Sequence, residues 1–433
     1  ATANWTYAND NIDDGVTFDV ICGAEAQTNW YVATTGSDNS GSGTLASPLS
    51  SIQTAINAAT VGDTVSVAAG TYHESIDFNG KNIAVIGESN ETTIIDGDST
   101  AIHVVSIHNG ETENALLKNF TIQNGYAYGQ GGWPNDIGGG IAVWNGSTPT
   151  LSYLNVKNNY ASEGGGIACW DGGLNTYTLS ITDNSSASSG GGMIIHNSTA
   201  SLSYTNPIGN NGGDGAGLYI NESVVNMVNS YIGGNQSTGA GGGIYVNDSD
   251  VDFETLHVYA NSAVDAAGIM CTIQSNMILA YSEIKDNSSH GLFVDTGTFV
   301  VINNSSISNN TNGFAIFNRS STLNMQNTLI VENGAGVFTE NGGNLFMTNS
   351  NIVSNSGRPL EFVRGGFGTI IHSNITDNTN PIILEGEDPA TTASFSYSNI
   401  EGGQGGIVDE VGTLSWGDGN IDVDPMFVDT ANG

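Results

Sequence analysis

Three sets of residues in this 433-residue chain have types and spacing suited to chemistry. The first is Glu340 and Glu361, with Glu385 beyond them. A repeat described below sets Glu340 and Glu361 outward on neighbouring turns of the chain. Paired carboxylates are what glycoside hydrolysis requires, one of them as general acid. With 43 acidic residues, adjacency of two also arises by composition alone. The second set is aromatic: Trp144, Trp170, His196, Tyr219 and Tyr245, with Tyr126, Tyr128 and Trp133 in a loop nearby. Flat rings stack on sugars, and they serve protein contacts or burial under a covering loop equally well. The third set is oxygen ligands. Asp38, Asp422, Asp424 and Asp429 sit in acidic loops of a kind that holds calcium, although no motif fixes a site. The seven His are scattered without metal spacing.

Charge narrows the partners. The net charge is −36, from 43 acidic and only 7 basic residues. Nucleic acid and anionic membrane surfaces need clustered Lys and Arg, so both are excluded as direct partners. A bare anionic polymer is also disfavoured unless a cation bridges it to the chain. So acidic a chain fits a salty or calcium-rich exterior, where ions screen the charge. Hydrophobic residues make up 38%, enough for a large core. No apolar run reaches the length of a membrane span. Three cysteines, Cys22, Cys169 and Cys271, are too few and too dispersed for a disulfide framework or a zinc site.

The elements that must position these residues follow from a repeat. Gly followed by an alternating apolar tetrad recurs at Gly140, Gly166, Gly192, Gly217, Gly243, Gly268, Gly291, Gly313 and Gly336, and Leu360 and Ile382 continue it. A second column places Asn three residues after an apolar residue. Its members are Asn159, Asn184, Asn211, Asn235, Asn261, Asn287, Asn310, Asn333, Asn355 and Asn378. Each unit holds short period-two runs broken by Gly, Asn, Ser and Asp, with no helical pattern. One such unit cannot bury its apolar face, but stacked units can, at about 4.8 Å per rung. The reading is all-β: a solenoid of 22–26-residue parallel coils. Asn suits a left-handed bend, and its amide can bond up the stack. Several Asn-x-Ser/Thr triplets, at Asn184, Asn235 and Asn287, fall on this column and should be buried.

Alternation assigns the faces. Ile141 and Val143 point inward, so Trp144, Trp170, His196, Tyr219, Tyr245, Met270 and Phe293 point outward as an aromatic and apolar stripe. Contiguous exposed apolar patches mark contact sites. Cys169 and Cys271 share an inward column four coils apart, about 19 Å, too far for a bond. The ends differ from the middle. Residues 1–28 fit no repeat and read as an arm or extra strand. Residues 29–80 read as a cap with the first coils, including a helix from Ser51 to Ala59 that covers the open end. Coils fill residues 81–412, interrupted by a loop at 126–138. Residues 413–433 form a closing segment, and its abrupt end points to a longer native chain.

The motif Tyr31-Val32-Ala33-Thr34-Thr35-Gly36-Ser37-Asp38, followed by Ser47-Pro48, Ile52-Gln53-Thr54-Ala55-Ile56, Gly62-Asp63-Thr64-Val65 and Ala69-Gly70-Thr71-Tyr72, resembles the amino-terminal cap of secreted bacterial right-handed β-helix proteins. These form the pectate-lyase-like superfamily. The tail Gly419-Asn420-Ile421-Asp422-Val423-Asp424-Pro425 is similar to the closing segment of large surface proteins of that group. The resemblance implies a right-handed parallel β-helix with a short N-terminal capping helix, exported to the cell surface or beyond. It also implies what an enzyme here would carry, since lyases of this fold use Lys or Arg as base, often with calcium. Lys157 and Lys285 face outward, but five coils, roughly 24 Å, separate them. The polygalacturonase motifs Gly-His-Gly, Asn-Thr-Asp and Arg-Ile-Lys are absent. The expectation is therefore a secreted or cell-surface protein for binding, adhesion or extracellular assembly, whose partner is a glycan, a protein or its own copies. The alternative is a polysaccharide lyase or glycoside hydrolase.

Overall fold

The computed structural model describes residues 29–386, 390–410 and 412–425. Residues 1–28, read above as an arm, and Asp429 lie outside them. The chain winds as a parallel β-solenoid. Each coil passes through a strand of a 14-stranded sheet, turns, and enters a 24-stranded sheet that bends across two sides of the coil. Five early coils add a two-residue strand on a further side, from Tyr126–Ala127 to Gln236–Ser237. Every strand pairs in parallel with its equivalent one coil away, as Ile141–Trp144 does with Ile167–Trp170. A single apolar cluster runs through the middle from Val32 to Ile407. Cys169 and Cys271 lie in it, fully buried, in one inward column through Ile195, Ile220 and Val246.

The first coil is closed by a helix, Ile52–Ala58. Ser51 caps it through Thr54 N, and the Glu74 carboxylate accepts from Ile52 N and Gln53 N at 2.8 and 2.9 Å. Lys81 Nζ donates to the carbonyls of Ile56, Asn57 and Ala59 at the other end. Both charges suit the helix dipole. Ile52, Ala55 and Ile56 face the core, which is the helical spacing that lets one short helix cover apolar strands.

The Asn column is an interior ladder. Each Asn Oδ1 accepts from the backbone N–H and the side-chain amide of the Asn one coil before. Asn210 thus donates to Asn235, and Asn235 to Asn261, at 2.9–3.1 Å. Buried corners leave backbone donors that the strands cannot satisfy, and the amides satisfy them. Two details differ from the sequence reading. The left-handed residue is the one before the ladder Asn, for example Asn158 (φ 55°), Gly234 (φ 64°) or Ala260 (φ 53°). The third rung is Asn210, fully buried, while Asn211 is exposed. Pro207, not Ile208, takes the inward position opposite Ile181, which moves the rung back by one residue.

Two Ser/Thr ladders work the same way at the other corners. Ser198, Ser223 and Ser249 form one, and Ser350, Ser373 and Ser398 belong to the other. The Gly column serves close approach. A Cβ on Gly166 would lie 2.5 Å from the carbonyl oxygen of Gly192 on the next coil. The column continues from Gly291 to Ala315 and Gly336, not through Gly313, because Leu292 pairs with Ile316.

Candidate functional site

The outward side of the 14-stranded sheet carries two columns. One runs Ala142, Ala168, Ile194, Tyr219, Tyr245, Met270, Phe293, Phe317 and Phe338. The other runs Trp144, Trp170, His196, Asn221, Asn247 and Thr272. Tyr219 stacks on Tyr245 with centroids 5.2 Å apart, and Phe293 on Phe317 at 4.6 Å. Phe317 was missing from the expected stripe because the misplaced Gly313 hid its register, and Phe338 extends the column one coil further.

The stripe is less open than alternation implies. Trp144 is only 6% exposed; His108 stacks on it at 4.1 Å and His103 covers it from the side at 5.6 Å. Phe293 and Met270 are also buried, the former beneath the Arg319 guanidinium. Trp144 therefore belongs to the packing and is withdrawn from the contact surface. Trp170, His196, Tyr219 and Tyr245 remain half-exposed.

Trp170 opens on the loop that follows Tyr126–Ala127. Left-handed Gly129, Gly131 and Gly132 (φ 67°, 105° and 92°) let the loop fold back, which residues with a Cβ would resist. The Asp136 carboxylate fixes it by accepting from Gln130 N and Gly132 N at 2.6 and 3.0 Å. Ile137 anchors it against Ala168 and Ile194, with Trp170 and Tyr219 packed alongside. The result is a cleft of about 440 Å³ between Trp133 on the loop and Trp170 on the sheet. Glu163, Asp136 and Asp171 supply its carboxylates. Burial pushes the Glu163 carboxyl up, with a smaller opposing pull from His196. His196 lies against Trp170 with centroids 3.9 Å apart, and its Nδ1 meets the Asn221 amide at 2.8 Å. Trp133, Trp170 and His196 thus gather at one place. Tyr126 and Tyr128 instead cluster with Tyr160, at centroid distances of 5.3–6.4 Å. Glu163 and Asp171 escaped the sequence reading because the repeat marks apolar columns and says nothing about which polar residues a loop will enclose.

The other expected sites do not assemble. Glu340 sits in register with Arg319 and Glu361 with Phe338, so they occupy different columns. Each has its own cation: Arg364 Nη1 lies 3.3 Å from Glu340, and Arg358 bonds Glu361. Lys285 Nζ lies 2.9 Å from Glu283, which holds its proton more tightly and disfavours the free base a lyase requires. Lys157 pairs in register with Gln123 and Thr182. Both lysines are on the bent sheet, away from the cleft, whose lining contains no Lys or Arg. Asp38 accepts from Ser50 N and Ser51 N, and Asp422 from Gly402 N. Neither they nor Asp424 form a group of three ligands. Among the described residues one such group exists, His73, Asp96 and Asp98. Its imidazole suits a transition ion better than calcium. Its members are already engaged: His73 Nδ1 with Asp98 at 2.8 Å, and Asp96 with the amides of Gln123 and Asn124.

Comparisons with known proteins bear on the fold. No curated protein sequence matches the chain. Among solved structures, the A-module of the mannuronan C-5 epimerase AlgE6 from Azotobacter vinelandii is 14% identical, with 86% of this chain and 94% of that chain covered and a TM-score of 0.46. Pectate lyase Pel9A is 16% identical over 93% of this chain and 80% of that one, with a TM-score of 0.29. The tailspike receptor binding domain of Siphovirus 9NA is 10% identical over 89% and 77%, at 0.36. A family model described as a right handed beta helix region matches residues 232–345. With fourteen parallel rungs in one sheet, the chain is a right-handed parallel β-helix.

Proposed function

We propose that this protein works outside the cell as a glycan-binding β-helix, holding a neutral saccharide between Trp133 and Trp170. The observation that carries the reading is the convergence of these two rings, from a loop and a sheet, on one cleft lined by carboxylates. Ring faces stack on the apolar faces of a pyranose, and carboxylates accept from its hydroxyls. The acidic lining and the net charge of −36 repel uronates, so the ligand is uncharged. Among the described residues no helix is long and apolar enough to cross a membrane.

The test is calorimetric titration with a panel of neutral oligosaccharides. Trp133→Ala should weaken binding by about 2 kcal/mol, the scale of a central aromatic anchor, and leave the melting temperature unchanged because the ring is half-exposed. Unaltered affinity in this variant would refute the site. Trp144→Ala should do the reverse, lowering stability with little effect on binding, since its ring is buried beneath two histidines.

A second reading, glycoside hydrolysis, draws on Glu163. Burial raises its hold on the proton, which is the direction a general acid requires. Of the other two carboxylates in the cleft, Asp136 is committed at both oxygens to the loop backbone, which leaves Asp171, held at one oxygen by Asn197, as the partner. Release of reducing ends from any member of the panel, abolished by Glu163→Gln, would establish hydrolysis in place of binding alone.

A further inference from the structure

The other side of the solenoid carries a row of aromatic rings that the repeat columns did not reveal. Five consecutive coils contribute Leu116–Gln123, Thr150–Lys157, Gly173–Thr182, Thr199–Ile208 and Val224–Gly233 to the bent sheet. These five strands contain no Asp or Glu, in a chain where 43 of 433 residues are acidic. They hold two of its seven basic residues, Lys118 and Lys157. Acids return on both flanks, with Asp96 on one side and Asp250, Asp252 and Glu254 on the other.

On this acid-free face, Tyr153, Tyr177, Tyr204 and Tyr231 stand on four successive coils, 47%, 51%, 54% and 47% exposed. They are more open than Trp170 or Tyr245, both half-buried. Tyr153 and Tyr204 occupy a left-handed corner that recurs on coil after coil, with φ of 52° and 50°. Elsewhere the same corner is filled mostly by small or polar residues, Asn119, Thr178, Asn229, Thr255, Asn304, Asn327, Asn349 and His372, and twice more by tyrosine, at Tyr281 and Tyr397. Asn visits that conformation easily and a bulky ring does not. A tyrosine there strains the backbone and exposes a ring, and the fold gains nothing that Asn does not already supply. Strain that the fold does not need is a mark of use.

We infer that this face is a second glycan-binding surface, which takes an extended neutral polysaccharide lying along the helix axis with one tyrosine per coil. The chemistry of the face supports that ligand. Its rings stand one to a coil, each coil rising about 4.8 Å, and are staggered sideways, with uncharged hydrogen-bonding groups such as Ser180 and Asn206 between them. Covering a surface without carboxylates avoids the large cost of desolvating charge. A second copy of the chain would bring two net charges of −36 together, and a uronate polymer would meet the acids on both flanks.

Affinity electrophoresis of the full chain in gels containing hydroxyethyl cellulose, galactomannan, β-1,3-glucan or dextran tests this, with polygalacturonate as the anionic arm. The chain should be retarded in at least one neutral gel. The double variant Tyr177→Ser, Tyr204→Asn should lose that retardation at least tenfold, while its melting temperature holds or rises because Asn relieves the corner. The variant Trp133→Ala, Trp170→Ala should keep a retarded component, which separates this surface from the cleft. Retardation in none of the neutral gels, retardation only by polygalacturonate, or equal retardation of the tyrosine variant would overturn the inference. So would a fall in its melting temperature, which would make the rings structural, or a concentration-dependent dimer by light scattering that the variant abolishes.

Discussion

Asn235→Ala should destabilise the fold by roughly 2–3 kcal/mol, near the top of the range for unpaired buried groups. The side chain is fully buried and makes four bonds. Its oxygen accepts from Asn210 N and Asn210 Nδ2 at 3.0 and 3.1 Å; its amide donates to Pro207 O and Asn261 Oδ1 at 3.0 and 2.9 Å. Removing it strands the Asn210 backbone N–H inside a buried corner. Asn235→Asp should cost more, because it keeps the acceptor, loses the donor and buries a charge. The comparison that isolates the mechanism is Asn210→Ala against Asn211→Ala. The first removes a ladder rung and the second trims an exposed side chain, so only the first should shift the denaturation midpoint. Equal midpoints for the two would disprove the ladder as a source of stability.

Gly217→Ala should be of similar size, about 3 kcal/mol, the upper end for overpacking. The added methyl would sit 2.5 Å from the Gly243 carbonyl oxygen and 2.8 Å from Asn235 Nδ2. The first neighbour is backbone of the next coil and cannot turn aside. The second is a ladder amide whose displacement breaks the bonds just described. Gly234→Asn provides the contrast. Its φ is 64° and its nearest neighbour is 3.9 Å away, and Asn already fills the same corner at Asn158 and Asn309. That change should be neutral or slightly stabilising through the unfolded chain. Thermal and chemical denaturation of the pair should separate them clearly; two neutral outcomes would mean that the coils yield where the column says they cannot.

The fold was legible because stacking forces equivalent positions to solve the same problem. An inward Ile, a close-approach Gly and a donor-satisfying Asn recur whatever lies between them. Ala315 and Asn210 show where that legibility ends. At Ala315 the close-approach position is filled by another small residue, and at Pro207 an unusual inward residue shifts the count by one. The surface was harder to read. Alternation says that Trp144 faces away from the core, and it does, but His103 and His108 from the preceding coil close over it. Glu163 and Trp133 meet only because a glycine-bent loop returns over the sheet. The tyrosine row zigzags about one corner, with Tyr153 and Tyr204 in its column and Tyr177 and Tyr231 to either side, so no single column contains it.

The Asn ladder also makes length a separable property of this molecule. Every rung offers the same acceptor to the coil before and the same donor to the coil after. Excising residues 211–235 would therefore bring Asn210 against Asn261 and Gly192 against Gly243, partners chemically identical to those lost. A deletion of three or four residues would instead slide every inward side chain off its column. Genetic change in such a chain is quantised: whole coils can be gained or lost while fragments cannot, and the distance between its two ends becomes a ruler graduated in steps of about 4.8 Å.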